Sequence, residues 1–152
     1  MIDIVIPVTW VAALHRYSVG TTGPRNTTKR GFTPEKDTVG TLIRVQGWSA
    51  SSSIATTEPQ SDRVVERLEL LCPPTLYIAD IVAPGLVVNG AAVDDIGPMD
   101  LVDLPDRPIR STADVVAAQW TQYEVDGFPR DYTTGPWGWA PGKVVYLQRS
   151  IG

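Results

Sequence analysis

Short runs of β-branched and aromatic residues, each ended by proline or glycine, constrain the fold of this chain more than any other feature of its sequence. Proline and glycine occur 13 times each in 152 residues, more often than the roughly 12% that the two contribute to an average protein. Helical periodicity is scarce, and runs of this length suit strands better than helices. The pattern predicts a mainly β fold, either a barrel or a sandwich, with little helix.

Several runs predict strands by their composition and by the turn residues around them. They are Ile2 to Ile6, Val11 to Ser18, Thr41 to Trp48, Leu86 to Val88, Asp114 to Ala117, Thr121 to Val125 and Lys143 to Arg149. The window Ser61 to Leu71 fits either a short amphipathic helix or a strand. The prolines that follow it, Pro73 and Pro74, favour the strand.

The length predicts one domain over residues 1–152 with a single hydrophobic core. Two stretches would extend from it, a long polar loop at about 18–40 and an acidic insertion at about 75–107. Both are longer than the connections of about two to five residues that ordinary hairpins use. A third stretch, Ser49 to Ser61, is rich in Ser, Thr and Ala and indicates a mobile connection or a sheet edge.

The net charge of −4 is unevenly distributed along the chain. Between Arg16 and Lys36, five basic residues accompany one acid, Glu35, whereas Thr75 to Asp106 contains six aspartates and no base. Two interpretations stay open: solvated loops whose charges keep the protein soluble, or complementary patches between neighbouring subunits. A few clustered cations support only weak, salt-sensitive contact with DNA, so a dedicated nucleic-acid binder is not expected.

The sequence lacks the motifs of common enzyme and cofactor classes, since it has no glycine-rich nucleotide loop, phosphate-binding loop or nucleophile elbow. One cysteine, Cys72, and one histidine, His15, cannot form an internal disulfide or a Cys/His zinc site. We expect Cys72 to be an apolar filler at a strand end and His15 to be a core or rim side chain with one hydrogen bond. The aspartates from 94 to 103 lack the ligand spacing of a calcium loop. No enzyme activity, cofactor or metal is therefore expected.

The hydropathy of the chain argues against a membrane protein, because no stretch has the roughly 20 apolar residues that span a bilayer. Met1 to Pro7 carries an acid where a signal peptide carries positive charge. This N-terminal run predicts a first strand and no export.

The segment from Thr121 to Arg149 is the most distinctive part of the sequence. In its first strand, Tyr123 and Val125 alternate with polar neighbours, which turns one face toward a core. Prolines at 129, 136 and 141 and glycines at 127, 135, 138 and 142 make the following excursion stiff and tightly bent. Its Trp137 and Trp139 either close the end of a barrel or project as interface anchors, since each buries on the order of 200 Å².

This segment resembles the C-terminal signature of the head-to-tail stopper (head-closure, or head–tail connector) proteins of long-tailed double-stranded DNA bacteriophages. The residues at signature positions are Tyr123, Val125, Gly127, Pro129, Asp131, Tyr132, Pro136, Trp137, Gly138, Trp139, Pro141, Gly142, Val144, Val145, Leu147, Arg149 and Gly152. Leu68 to Pro73 is more weakly similar to the family's central strand, and Ile109 to Val116 to the segment before its final hairpin. The acidic stretch Thr75 to Arg107 departs from the family pattern as an insertion.

The resemblance implies a small SH3-like, closed antiparallel β-barrel that assembles with copies of itself into a ring, usually a dodecamer, in the neck of the virion. Such a ring closes the portal channel after DNA packaging, lies beneath the portal-adaptor ring, and receives the tail terminator or tail tube from below. It contacts packaged DNA transiently and performs no chemistry. It is assembled in the host cytoplasm without a membrane.

Two groups of candidate functional residues follow. Interface or barrel-capping candidates are Asp131, Tyr132, Pro136, Trp137 and Trp139, and channel- or adaptor-facing candidates are Arg25, Lys29, Arg30, Asp94, Asp95 and Asp100. Two alternative functions stay open. Another neck or tail subunit, such as a tail terminator, would share the size and β content, and a monomeric β-barrel that binds a ligand or an oligosaccharide would carry a concave aromatic pocket.

Overall fold

A computed structural model describes residues 10–21, 28–55, 64–131 and 142–151 of the chain. These ranges contain eleven β-strands and one short helix. The strands are β1 (Trp10–Thr21), β2 (Thr28–Thr33), β3 (Thr41–Val45), β4 (Gly47–Ala55), β5 (Val64–Cys72), β6 (Leu76–Ala83), β7 (Leu86–Val93), β8 (Leu101–Pro105), β9 (Trp120–Val125), β10 (Arg130–Asp131) and β11 (Lys143–Ile151). The helix, α1, spans Thr112–Ala117. The prediction of a mainly β protein with little helix is confirmed.

The strands form one antiparallel sheet that curls into a barrel-like shape. Its order is β4-β5-β11-β9-β8-β1-β3-β6-β7, with β2 paired to β1 and β10 paired to β11. β3 and β4 lie far apart in this order yet follow each other in the chain, so the bend at Gln46 joins the two sides of the curl. There the Gln46 amide donates to the Leu71 carbonyl of β5 at 2.9 Å. The sheet is a curled half-barrel, which confirms the expected barrel-like antiparallel fold; for brevity we refer to β1, β3, β4, β5, β8, β9 and β11 as the barrel.

Alternate residues of the barrel strands point inward and form the main hydrophobic core, as the two-residue repeat of a strand requires. The inward residues are Ala12, Leu14, Ile43, Val45, Leu68, Leu70, Cys72, Val102, Leu104, Tyr123, Val125, Val145 and Leu147. Trp10 and Trp48 pack edge to face, with 5.1 Å between ring centroids, against this core. The prediction that Tyr123 and Val125 face the core is confirmed.

A second, smaller core lies on the outside of the barrel wall. Its buried members are Val11, Ala79, Ile109 and Ala118, with Leu42, Ile81, Val87, Val115 and Trp120 packed against them. Val11 stands between the inward-facing Trp10 and Ala12 of β1, so it points outward. The β6–β7 hairpin and α1 cover it and are thereby attached to the barrel.

The predicted strand Asp114 to Ala117 is wrong, because these residues belong to α1. Val115 and Val116 favour a strand by propensity. Ser111 nevertheless caps a helix here: its hydroxyl accepts from the Asp114 amide, and the Asp114 carboxylate accepts from the Ser111 amide. This reciprocal cap stabilises a helix of six residues, too short to show a helical repeat in the sequence.

The predicted strand Thr41 to Trp48 is divided into β3 and β4. Gly47, at the division, has a φ of +152°, a conformation that residues with a side chain avoid. Residues 49–55 lie in β4, which ends the sheet order, in line with the sheet edge expected from Ser49 onward.

The stretch expected as a polar loop at about 18–40 is in large part a β-hairpin. β1 continues to Thr21 and pairs with β2, so the irregular part between β2 and β3 runs from Pro34 to Gly40. The other predicted strands that the structure describes are present as β1, β5, β7, β9 and β11. Ile2 to Ile6 lies outside the described residues.

The acidic stretch at about 75–107 is not one insertion. Its first part is the β6–β7 hairpin, which pairs with β3 at the end of the sheet. Its last part is β8, a central barrel strand with all five residues buried. The aspartates of this stretch hid a core strand whose other residues, Leu101, Val102, Leu104 and Pro105, are apolar.

Candidate functional site at the loop end of the barrel

Several segments that the sequence analysis singled out emerge together at one end of the barrel. β1 passes beyond β8 at this end, since His15 pairs with Leu101, and continues into the β1–β2 hairpin. β9 ends here at Val125, and β11 begins here, where Lys143 pairs with Asp131 of β10. We term this surface the loop end and define it by residues 16–17, 94–100, 126–131 and 142–143.

Arg16 ties the acidic segment to β1. Its guanidinium donates to the Asp95 carbonyl at 2.6 Å and to the Asp100 carboxylate at 3.1 Å, and it also donates to the Asp94 carbonyl. From β11, the Lys143 ammonium pairs with the Asp95 carboxylate. Arg16 and Lys143 thus bind the acidic segment 94–100 of their own chain. These charges are paired without a neighbouring subunit.

Asp100 has a structural role at the centre of the loop end. The residue is 6% exposed, and besides Arg16 its oxygens accept from the Tyr17 amide at 2.9 Å and the Gly97 amide at 2.8 Å. Three donors around one carboxylate fix the 97–100 turn against β1. The expectation that Asp100 faces a channel or an adaptor does not fit this burial.

Two large apolar side chains are exposed at the loop end, Met99 at 56% and Phe128 at 82%. A cleft of about 300 Å³ runs beside Met99 and is lined by Tyr17, Phe32, Pro98, Met99, Asp100, Leu101, Glu124 and Val125. Exposed apolar side chains beside a cleft are typical of a surface that contacts another protein. The sequence analysis missed both residues, although Phe128 lies between the signature residues Gly127 and Pro129.

The remaining candidates differ in how much of them the structure describes. Asp94, Asp95 and Asp131 are exposed. Lys29 and Arg30 lie on β2, where the backbone is described and the side chains are not. Outside the described residues lie Arg25, Tyr132, Pro136, Trp137 and Trp139. We term residues 132–141, which include Trp137 and Trp139, the tryptophan segment. The two residues that flank it, Asp131 and Gly142, both belong to the loop end.

A second polar cluster joins three barrel strands at Tyr123. The Glu66 carboxylate accepts from the Tyr123 hydroxyl at 3.2 Å and from the Arg149 Nε at 2.6 Å. The Arg149 guanidinium also lies 5.6 Å from the Tyr123 ring centroid. Burial, followed by the Glu66 charge, raises the pKa of the Tyr123 hydroxyl, which therefore keeps its proton. Two signature positions, Tyr123 and Arg149, thus fasten β9 to β11 and, through Glu66, to β5.

The sequence analysis also missed a buried pair formed by His15 and Asp103. His15 is fully buried, and its ring nitrogens lie 2.8 Å from the Pro34 carbonyl oxygen and 2.8 Å from Asp103 Oδ2. The prediction for His15 left open whether it lies in the core or at the rim, and the structure shows it buried with two hydrogen bonds where one was expected. An aspartate within the apolar run Leu101–Pro105 is the signal that could have revealed the pair, because a buried charge needs a partner.

Cys72 is buried at the end of β5, as predicted for an apolar filler. Burial raises the pKa of its thiol to about 12, and the Asp95 charge acts in the same direction. The thiol is protonated at neutral pH, which makes it a poor nucleophile.

The described residues show no group of three or more His, Cys, Asp or Glu side chains placed to hold a metal ion. No helix in the same ranges has the length and apolar character that crossing a bilayer requires. Comparisons of the chain with family models, curated proteins and solved structures gave no match. Function is therefore inferred from the loop end and from the sequence.

Proposed function

We propose that the chain is a structural subunit of a ring in the neck of a long-tailed bacteriophage, where it closes the portal channel after DNA packaging and provides the docking platform for the tail. The observation that carries this proposal is the convergence of three features on the loop end. They are the acidic segment 94–100, residues 16–17, where the basic β1–β2 hairpin leaves the barrel, and the two residues that flank the tryptophan segment. Loops grouped on a rigid barrel suit a protein that works by surface contact.

The exposed apolar side chains of the loop end supply a reason for association. Met99 and Phe128 each leave more than half of their surface in water, and burying apolar surface is the main favourable term in most protein association. A ring repeats one interface around a closed symmetry, so a modest contact per subunit is multiplied. Stable interfaces bury about 1,600 Å² in total, which requires contributions from loops as well as from the barrel.

A monomeric ligand-binding barrel fits the structure less well. Inward side chains from every barrel strand fill the interior, as in barrels that have no internal ligand site. Three clefts that the described residues line measure about 280 to 380 Å³, at the small end of ligand sites. These features favour a structural role over a binding one.

The proposal is tested by mixing the purified full chain with portal–adaptor rings of the same phage and imaging the product by electron microscopy. We expect an additional ring of density on the tail-facing side of the adaptor. Binding to the end of the tail tube instead would favour a tail terminator. If the chain bound to neither assembly, both neck roles would be refuted.

A matched pair of substitutions locates the contact surface. Phe128→Ser removes an exposed apolar side chain from the loop end and is expected to raise the protein concentration needed for ring formation about tenfold. Val116→Ser is the control, because Val116 is 87% exposed on α1, outside the loop end. Equal ring formation by both variants would show that the loop end is not the contact surface.

The acidic side chains that remain exposed, Asp94 and Asp95, are candidates for the channel or adaptor face. A deletion of residues 75–106 cannot test them, because it would remove β8 from the core. The double substitution Asp94→Asn with Asp95→Asn removes both charges, and with them the ion pair of Asp95 with Lys143, and is expected to weaken adaptor docking or DNA retention. Unchanged docking and retention would remove these two residues from the proposed face.

A further inference from the structure

The loop end carries a hole and a projection that are complementary in size and in chemistry. The hole is the cleft of about 300 Å³ beside Met99, which we term the Met99 cleft and in which Tyr17 and Phe32 pack edge to face with 5.8 Å between ring centroids. The projection is Phe128, the one aromatic side chain among the described residues that is exposed, at 82%. A phenyl ring fits the hole, because a cavity of about 150 Å³ is enough for benzene.

The polar groups of the Met99 cleft leave little for a polar ligand to bind. Both oxygens of Asp100 already accept hydrogen bonds, from the Arg16 guanidinium and from two backbone amides. The other lining side chains are apolar or aromatic, except for Glu124, which is exposed. An apolar side chain gains free energy by leaving water for such surroundings. The cleft therefore suits an apolar or aromatic occupant.

Phe128 is presented by a tight turn on the far side of β9 from the cleft. Gly127 before it has a φ of +74°, and Pro129 after it restricts the backbone. The Asp126 amide donates to the Tyr146 carbonyl of β11 at 2.7 Å, so the turn stays beside β11. In the sheet order β11-β9-β8-β1, the cleft lies on the β8 and β1 side of β9. The hole and the projection thus lie on different sides of the loop end.

Opposite charges accompany the hole and the projection. Glu124 places an exposed carboxylate at the cleft. Arg130 is also exposed, and its guanidinium lies 5.5 Å from the Tyr146 ring centroid, on the same side of the loop end as Phe128. Complementary charges at the rim of an interface orient the two partners.

We propose that Phe128 of one copy of the chain inserts into the Met99 cleft of the next copy, with Arg130 of the first beside Glu124 of the second. The inference rests on the proposed function, since it names the contact between subunits of the ring. A projection and a hole on different sides of one chain make a head-to-tail contact, which repeats until the ring closes. An aromatic side chain anchored in a pocket commonly supplies most of the binding energy of an interface.

The test replaces Phe128 with photoreactive p-benzoylphenylalanine in the full chain, which keeps an aromatic side chain at this position. The chains are mixed with portal–adaptor rings of the same phage and irradiated, and the products are separated by denaturing gel electrophoresis and mapped by mass spectrometry. We expect cross-links to residues 98–101 of another copy, in a ladder of dimers, trimers and larger products. The same photoreactive residue in place of Val116 on α1 is the control and should give on the order of tenfold less cross-linked product.

The products separate this inference from the proposed function. Dimers alone would indicate a two-fold pair and overturn the head-to-tail contact, and equal yields from positions 128 and 116 would overturn the insertion. A ring on the adaptor without cross-links to residues 98–101 would refute the inference and leave the proposed function intact. The full ladder from chains that do not bind the adaptor would support the inference and refute the neck role alone.

An exchange of charge keeps the proposal falsifiable if the photoreactive residue is too large for the cleft. Arg130→Glu and Glu124→Arg each place like charges together, and each should raise the protein concentration needed for ring formation about fivefold to tenfold. The double variant restores opposite charges and should return this concentration to within about twofold of the unmodified chain. A double variant that assembles less well than both single variants would overturn the proposed contact.

Discussion

The barrel and the β6–β7 hairpin are built from strands of similar length, yet different forces hold them. β5 and β11 have nine residues each and bury side chains such as Leu70 and Leu147, both 0% exposed. β6 and β7 have eight residues each and leave most of theirs accessible, including Val82 at 53% and Leu86 at 52%. Burial of apolar side chains therefore stabilises the barrel, whereas backbone pairing and a limited apolar contact stabilise the hairpin.

The hairpin is anchored at its base, where Leu76 of β6 is buried in the main core and Ile78 pairs with Ile43 of β3, and the rest of its contact with the barrel is small. Ala79, Ile81 and Val87 pack against the outside near Val11, and the Gly85 amide at the hairpin turn donates to the Arg110 carbonyl at 2.8 Å. Local opening requires less free energy where few apolar groups are buried. We expect the distal part of the hairpin, around its turn at Gly85, to open without unfolding of the barrel.

The largest contrast concerns thiol chemistry. At pH 8 a thiol with a pKa of about 12, as for Cys72, is about a thousandfold less ionised than an ordinary cysteine. A thiol introduced by Val82→Cys in the hairpin, with Cys72→Ala to remove the native one, should react with Ellman's reagent at the ordinary rate. If native Cys72 reacted within about tenfold of the introduced thiol, the barrel would open as readily as the hairpin.

Truncating a leucine should separate the two regions next most strongly. Leu147→Ala leaves a cavity in the barrel core and is expected to lower the free energy of unfolding by about 2–5 kcal/mol. Leu86→Ala at the hairpin should change it by less than about 0.5 kcal/mol. Urea unfolding followed by tryptophan fluorescence measures both, and comparable losses would show that burial does not divide the molecule in this way.

Two glycines in left-handed backbone sharpen the same comparison. Gly142 has a φ of +136°, and a Cβ there would overlap the Cys72 carbonyl oxygen, so Gly142→Ala should destabilise the barrel by about 3 kcal/mol. Gly85 has a φ of +81° with open space around it, so Gly85→Ala should cost about 1 kcal/mol from backbone strain. Thermal unfolding of the two variants measures the difference, and a larger loss in Gly85→Ala would contradict it.

The smallest effect is expected from the charges beside α1. The Arg110 and Ser111 amides and the Ser111 hydroxyl lower the pKa of Asp114, and Arg107 with the Gln119 amide lowers that of Asp106. Because these values are depressed in the folded state, the stability they contribute is present above the unfolded value of about 3.9 and is lost as pH falls through the folded value.

Asp114→Asn should therefore destabilise the chain more at pH 6 than at pH 3, as measured by urea midpoints. Asp80→Asn on the hairpin is the control and should give the same small change at both pH values. A loss of stability in Asp114→Asn that grew toward acid pH would have the wrong sign.

The sequence predicted the strands in which apolar and polar side chains alternate visibly, with a period of two residues. Tyr123 and Val125 face the core because the alternation in β9 was visible in the sequence. β8 was hidden because composition drew attention to the aspartates around it, although Asp103 alone interrupts its apolar run. α1 is too short for a period, and its Ser111–Asp114 cap was the available signal.

The site could be predicted only in part, because it depends on contacts between distant residues. Arg16 and Asp100 are 84 positions apart and His15 and Asp103 are 88, and nothing local indicates that they meet. The uneven charge distribution singled out both Arg16 and Asp100. It did not indicate that the two residues pair with each other within one chain. The roles of the tryptophan segment stay predictions.

The central claim is that this barrel forms a ring between capsid and tail. A cryo-electron microscopy map of intact tailed particles made from the genome that encodes the chain tests it most directly. We predict a ring of copies at the junction, each fitting the barrel strands of residues 10–21, 41–45, 47–55, 64–72, 101–105, 120–125 and 143–151, with the loop end in contact with a neighbouring ring or subunit. Intact, DNA-filled particles whose junction contains no such barrel would contradict the claim.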